Sequence, residues 1–114
     1  RMVLVSDAMC TVGGSDHFRL YGQDIWLKDG RLVNAEGSLA GAHVTMAEGL
    51  RRLIAQVGTP HETALDMATA APARLLDRPD LATPEHRDLA DLLLLASDWT
   101  VTGTVADQLQ TQAA

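Results

Sequence analysis

Aromatic residues are scarce. One Tyr, one Phe and two Trp make up 4% of 114 residues, so Leu, Val, Ile, Met and Ala have to fill any core. With 46% hydrophobic residues there is enough of that material for a packed domain, and global disorder is excluded. Cysteine occurs once, at Cys10. This excludes an intramolecular disulfide and favours a small buried hydrophobe at that position. Lysine also occurs once, at Lys28, and nine basic residues face fifteen acidic ones for a formal charge of -6. A basic stripe of the kind that binds nucleic acid is lacking, so no nucleic-acid partner is expected. No apolar run approaches the length of a transmembrane helix, and no basic region followed by an apolar core and a cleavage site opens the chain. The expectation is a protein without a membrane partner, located in the cytoplasm. The opening "RMVLVSD" has no cap or turn ahead of an apolar run, which fits a fragment whose upstream part is absent.

What is present begins with "VLVSDAM", residues 3–9. Residues 2–6 read as a buried strand of a parallel sheet covered on both faces, ending on Asp7. "TVGGSD" at 11–16 reads as a loop, and residues 17–37 read as strands joined by turns, with Asp29-Gly30 marking a hairpin. Thr45 and Glu48 have capping-box spacing, and Met46, Leu50, Leu53, Ile54 and Val57 recur as one helical stripe stopped by Gly58. A second helix opens at "TPHE", with Thr59 as N-cap, Pro60 as the first helical residue and Glu62 closing the box. Pro72 is expected to break or kink it, with "ARLLD" adding a short helical turn or two. Residues 77–90 read as a loop. "DLLLLA" and "WTVTGTV" read as strands split at Ser97-Asp98, and "DQLQTQAA" as a frayed tail.

An acid at the C-terminal end of a buried parallel strand stands where α/β barrels place catalytic groups. A helix cap or a loop acid paired with a base is the structural alternative for Asp7. His17, His43, His61 and His86 form neither an H-x-H nor an H-x-x-x-H pair, so no local metal site is visible and each is expected to be structural. Ser6 lies in no G-x-S-x-G elbow. The Gly-rich stretches "TVGG" and "GSLAG" are neither a P-loop nor a dinucleotide fingerprint. Gly37 and Gly41 serve either a turn or a close backbone approach to a substrate, and spacing does not decide between them.

Four stretches, "LVSDAM" at 4–9, "DGRLVNAEGSLAGAHVTMAEGLRRLI" at 29–54, "ALDMATAAPARLL" at 64–76 and "DLADLLLL" at 88–95, together resemble the C-terminal third of the N-acetylglucosamine-6-phosphate deacetylases of the amidohydrolase superfamily. "SDA" followed by "GSLAG" and "TM" is the specific part; the other two pieces occur across many amidohydrolases. The resemblance implies an α/β fold: the C-terminal part of a metal-dependent (β/α)8 barrel, strand eight and the helices after it, plus strands of a small β-sandwich domain. Residues 1–76 would be the barrel part with a β-hairpin insertion at about 17–37, and residues 77–114 a loop, returning sandwich strands and the tail. Asp7 would be the catalytic aspartate, and Leu39, Ala40 and Gly41 would match the loop that contacts the bound amino sugar. The implied reaction hydrolyses N-acetylglucosamine 6-phosphate to glucosamine 6-phosphate and acetate. A divalent metal, zinc or similar, lowers the pKa of bound water and polarises the amide, while the aspartate takes the water's proton and passes it to the leaving nitrogen.

The chain also departs from the family. The metal-binding Glu and His residues and most of the phosphate-binding set are expected upstream of this chain, so the isolated piece is expected to fold poorly and not to catalyse. The usual "PG-x-x-ADL" reads "PEHRDLADL" here, with no Gly after Pro84, which weakens support for the sandwich strands. The resemblance further implies a homodimer and a sugar phosphate as small-molecule partner. The rival readings are another amidohydrolase, such as a D-aminoacylase or an isoaspartyl dipeptidase, and a non-catalytic domain that binds a partner through its apolar faces.

Overall fold

The computed structural model describes residues 2–113. The chain forms two units: residues 5–46, and residues 2–4 together with 47–113. The chain is a small α/β fragment with one small antiparallel sheet in each unit, and its helices lie in the second.

The first unit is built on three strands in meander order, β1 (His17–Leu20), β2 (Gln23–Lys28) and β3 (Arg31–Val33). Both hairpins close through two-residue turns with positive φ at both positions. Asp29 and Gly30 have φ of 49° and 73°, and Tyr21 and Gly22 have 49° and 80°. That backbone matches the right-handed strand twist. The Asp-Gly turn is the one predicted; Tyr-Gly is a weaker signal because a tyrosine rarely takes φ > 0. Ile25 and Leu32 are the buried apolar side chains of this sheet. Past β3 the chain turns at 34–38, where the Asn34 side chain accepts from the Ser38 amide at 2.8 Å. It then runs back along β3, pairing Leu39 with Val33 and donating from the Ala40 amide to the Leu32 carbonyl at 2.9 Å.

The second unit holds α1 (Met46–Ala55, entering from residue 47), α2 (His61–Ala68), α3 (Ala70–Leu75), β4 (Leu93–Leu95), β5 (Val101–Thr104) and α4 (Val105–Ala113). Leu50, Ala64, Met67 and Ala73 form its buried apolar set. After α1 the chain stops at Gly58, with φ of +76°, and the Thr59 amide bonds the Leu53 carbonyl at 3.0 Å; this left-handed exit is the stop that the glycine predicts. Arg74 of α3 holds both oxygens of the Asp66 carboxylate in α2 at 3.0 Å.

Four expectations need correction. Residues 2–6 are not a buried strand: among the described residues the stretch pairs into no sheet, and Met2 and Val5 are exposed. A continuous apolar run signals a doubly covered strand only if neighbouring strands exist to take its backbone bonds, and here the Leu4 amide donates to the Met67 carbonyl at the end of α2 instead. The second helix has Pro60, not Thr59, as its N-cap residue, with ψ of 135° and no side-chain cap. The break comes at Thr69 rather than at Pro72. Pro72 falls in the first turn of α3, where a missing N–H removes no helical bond. The tail is helical: Ala114 of the expected frayed segment lies outside the described residues, but residues 105–113 form α4. Its start is a reciprocal cap. The Asp107 carboxylate accepts from the Thr104 amide at 2.9 Å, and the Thr104 hydroxyl accepts from the Asp107 amide at 3.1 Å. "TVAD" carries the capping-box pattern and was legible, but the preceding β-branched run drew the reading toward a strand.

Candidate functional site

Asp7 and the Leu39–Gly41 loop come together within the first unit. Residues 7–9 run parallel to residue 42, with a bridge between Ala8 and Ala42. The Ala42 amide donates to the Asp7 carbonyl at 3.3 Å, and the Met9 amide donates to the Ala42 carbonyl at 3.0 Å. The loop is thus stitched on one side to β3 through Leu39 and Ala40, and on the other to the backbone of Asp7.

Asp7 has φ of 50°, a left-handed conformation that aspartate tolerates better than most residues. The Ser6 hydroxyl accepts from the Ala8 amide at 3.2 Å and so braces the turn in which Asp7 sits. Asp7 is exposed. Asp66, Asp80, Asp98 and Asp107 spend their carboxylates on local partners. For Asp80 the Arg78 guanidinium, and for Asp98 and Asp107 the neighbouring threonine hydroxyls, hold the carboxyl below its ordinary range. No ion pair or hydrogen bond engages the Asp7 carboxylate among the described residues.

Of the three loop residues, Leu39 is 74% exposed, Ala40 is half-buried and Gly41 exposed. Gly41 has φ of +95°, and a Cβ there would meet Met9 Cγ at 2.5 Å. The glycine therefore permits both the turn and the close packing on Met9. Ala40 and Gly41 line an open cavity of about 480 Å³, together with Met9 and with Leu20, Tyr21, Gln23 and Ile25 from the β1–β2 hairpin. Asp7 and Leu39 are outside this lining.

His43 is one of the four histidines expected to be structural; Thr11 carries no sequence signal of its own. Thr11 is 2% exposed, and its Oγ1 shares a hydrogen bond with His43 Nδ1 at 3.0 Å. The two are 32 residues apart, so no local spacing rule could have joined them. His17 contacts Asp24 Oδ1 at 3.0 Å and lies 5.3 Å from the Trp26 ring, a cross-strand pair on the sheet. His61 stacks on Trp99 at 5.6 Å. Cys10, expected to be buried, is exposed; it sits in the turn where the Val12 amide bonds the Met9 carbonyl. Among the described residues no group of three His, Cys, Asp or Glu side chains could hold a metal ion. The donor set at Asp7 therefore does not fit a metal centre by itself. No helix of the described residues is long and apolar enough to cross a membrane.

No protein-family model matches the chain. It is similar over 94% of its length to the N-acetylglucosamine-6-phosphate deacetylase of Haemophilus influenzae, at 29% identity, and over 98% to the N-acetylgalactosamine-6-phosphate deacetylase of a Shewanella strain, at 30% identity. It spans 29% of the length of each of those two relatives. Among solved structures, the N-acetylglucosamine-6-phosphate deacetylase of Pasteurella multocida superposes with a TM-score of 0.78 at 30% identity, covering 90% of this chain and 27% of that one. Nearly the whole chain thus matches a part, under a third, of these amide hydrolases of amino-sugar metabolism.

Proposed function

We propose that the chain is the C-terminal part of an N-acetylglucosamine-6-phosphate deacetylase in which Asp7 moves the proton and Leu39, Ala40 and Gly41 line the amino-sugar site. The observation that carries this reading is the pair of backbone bonds between Asp7, Met9 and Ala42. They set the only acid of the first stretch beside the loop that matches the family's sugar contact. Residues 2–6 belong, in this reading, to strand eight of a (β/α)8 barrel whose other strands are supplied by a longer chain, with Asp7 at its mouth, and β4 and β5 belong to a small β-sandwich. The full enzyme is a cytoplasmic homodimer.

In the reaction, the Asp7 carboxylate accepts a proton from the attacking water as oxygen bonds to the acetyl carbon. It then returns that proton to the nitrogen as the C–N bond breaks, because an amine leaves poorly unless protonated. Water and amide become acetate and a free amine, with the carboxylate regenerated. A divalent metal is part of the reading, with its ligands outside this chain.

The test uses a full-length protein carrying this chain, assayed for acetate release from N-acetylglucosamine 6-phosphate, N-acetylgalactosamine 6-phosphate and N-acyl amino acids. Turnover of N-acetylglucosamine 6-phosphate, with Asp7→Asn slower by about a hundredfold or more at unchanged metal content, is the expected result. Preference for N-acyl amino acids would move the chain to a D-aminoacylase or dipeptidase role. Near-parental kcat in Asp7→Asn would make the acid structural. N-acetylgalactosamine 6-phosphate is the second substrate to weigh, because a 30%-identical relative is named for its deacetylation.

A further inference from the structure

Asp7 sits on a seven-to-fourteen stretch with few anchors of its own. The Ser6 hydroxyl braces it locally, and backbone bonds tie residues 7–9 to Ala42. Those bonds lie partly open to solvent: Asp7 is exposed, and Met9 and Ala42 are half-buried. Exposed backbone bonds open readily. One buried side-chain contact locks the same two segments. Thr11, four residues after Asp7, is almost wholly buried, and it bonds His43, two residues after Gly41. Thr11 also accepts on its carbonyl from the Gly14 amide at 3.2 Å, so the turn after Asp7 is fixed around it.

We propose that Thr11 and His43 are a positioning pair that holds the Asp7 turn in register with the Leu39–Gly41 loop, although neither residue touches substrate. The proposal rests on the deacetylase reading for its catalytic consequence. A proton carrier displaced by even a fraction of its working distance loses rate steeply, while a sugar held by the loop alone binds almost as before. The pair therefore acts on kcat more than on KM.

The experiment has two arms in the full-length protein. In the first, amide hydrogen exchange is followed at Met9 and Ala42, which needs no activity. Thr11→Val removes the hydroxyl at constant shape and is expected to speed exchange at both amides; Thr11→Ser restores the slow rate. In the second, kcat falls about tenfold in Thr11→Val with KM within about twofold. Thr11→Ser and His43→Asn, which keep polar atoms in reach, recover most of it, and Thr11→Val combined with His43→Ala is no worse than the poorer single variant. Unchanged exchange in Thr11→Val overturns the proposal, as does a Thr11→Ser as impaired as Thr11→Val, or additive losses. If Thr11→Val does not fold, His43→Ala, which removes the partner of the same bond, carries both readouts, with His43→Asn as its conservative control. An unsubstituted parent that is inactive on both sugar phosphates overturns the deacetylase reading instead, and the exchange arm separates that failure from failure of the tie.

Discussion

Gly41 shows how a single residue sets the site. Its φ of +95° and the 2.5 Å approach of Met9 to the place of a Cβ leave room for no side chain without movement. Met9 is flexible and can swing aside in part; the backbone cannot. Gly41→Ala in the full-length protein is expected to lower stability by about 1–3 kcal/mol, read from the denaturant midpoint, and, in the proposed deacetylase role, to raise KM for the sugar phosphate because the loop shifts. An unchanged midpoint and KM would mean that the turn has an alternative conformation. Asp7 raises the matching point about substitutions. At φ of 50°, Asp7→Asn keeps a residue suited to the left-handed region, whereas Asp7→Ala adds backbone strain to the loss of the acid. The asparagine variant is the one that isolates chemistry. Asp7 and the loop were legible as separate sequence features. Their adjacency was not, because it is made by backbone bonds across about 35 residues of sequence.

Among the elements, the helices and the hairpin declare themselves and the first strand does not. Asp29-Gly30, the Gly58 stop and the Leu50 stripe are local signals, and local physics suffices to read them. Residues 2–6 required partners from elsewhere, so an apolar run was a poor guide to state. α4 gives a prediction at this scale. Its cap is a side chain to backbone exchange between Thr104 and Asp107. Thr104→Val is expected to cost about 1 kcal/mol and to reduce helical circular dichroism from residues 105–113. The Thr104 hydroxyl and amide hold the Asp107 carboxyl below its ordinary value. The cap therefore favours the folded helix at and above an unfolded carboxyl pKa of about 4, and the contribution disappears as pH falls through the lower, folded pKa. An acid titration of helicity that loses α4 above pH 4 would contradict this.

At the scale of the whole molecule, apolar surface is the telling quantity. Six apolar side chains are buried among the described residues, while fourteen large ones are exposed, including Met2, Val5, Leu39, Val57 and Leu75. Single exposed apolar residues are ordinary, but this balance leaves little core to offset chain entropy. The 114-residue chain expressed alone is therefore expected to bind a hydrophobic dye, to melt without a sharp cooperative transition and to show no deacetylase activity. A sharp monomeric transition without dye binding would contradict the expectation and would favour a stand-alone binding domain.

The sequence by itself determined the meander with its Asp-Gly turn and the amphipathic α1 with its glycine stop, because turn chemistry and helical period are written in neighbouring residues. Only the tertiary structure decided that residues 2–6 form no sheet, that Thr69 rather than Pro72 breaks the helix, and that Thr11 and His43 meet. Each of those depends on which distant groups satisfy a buried or backbone polar atom, and no spacing rule carries that information.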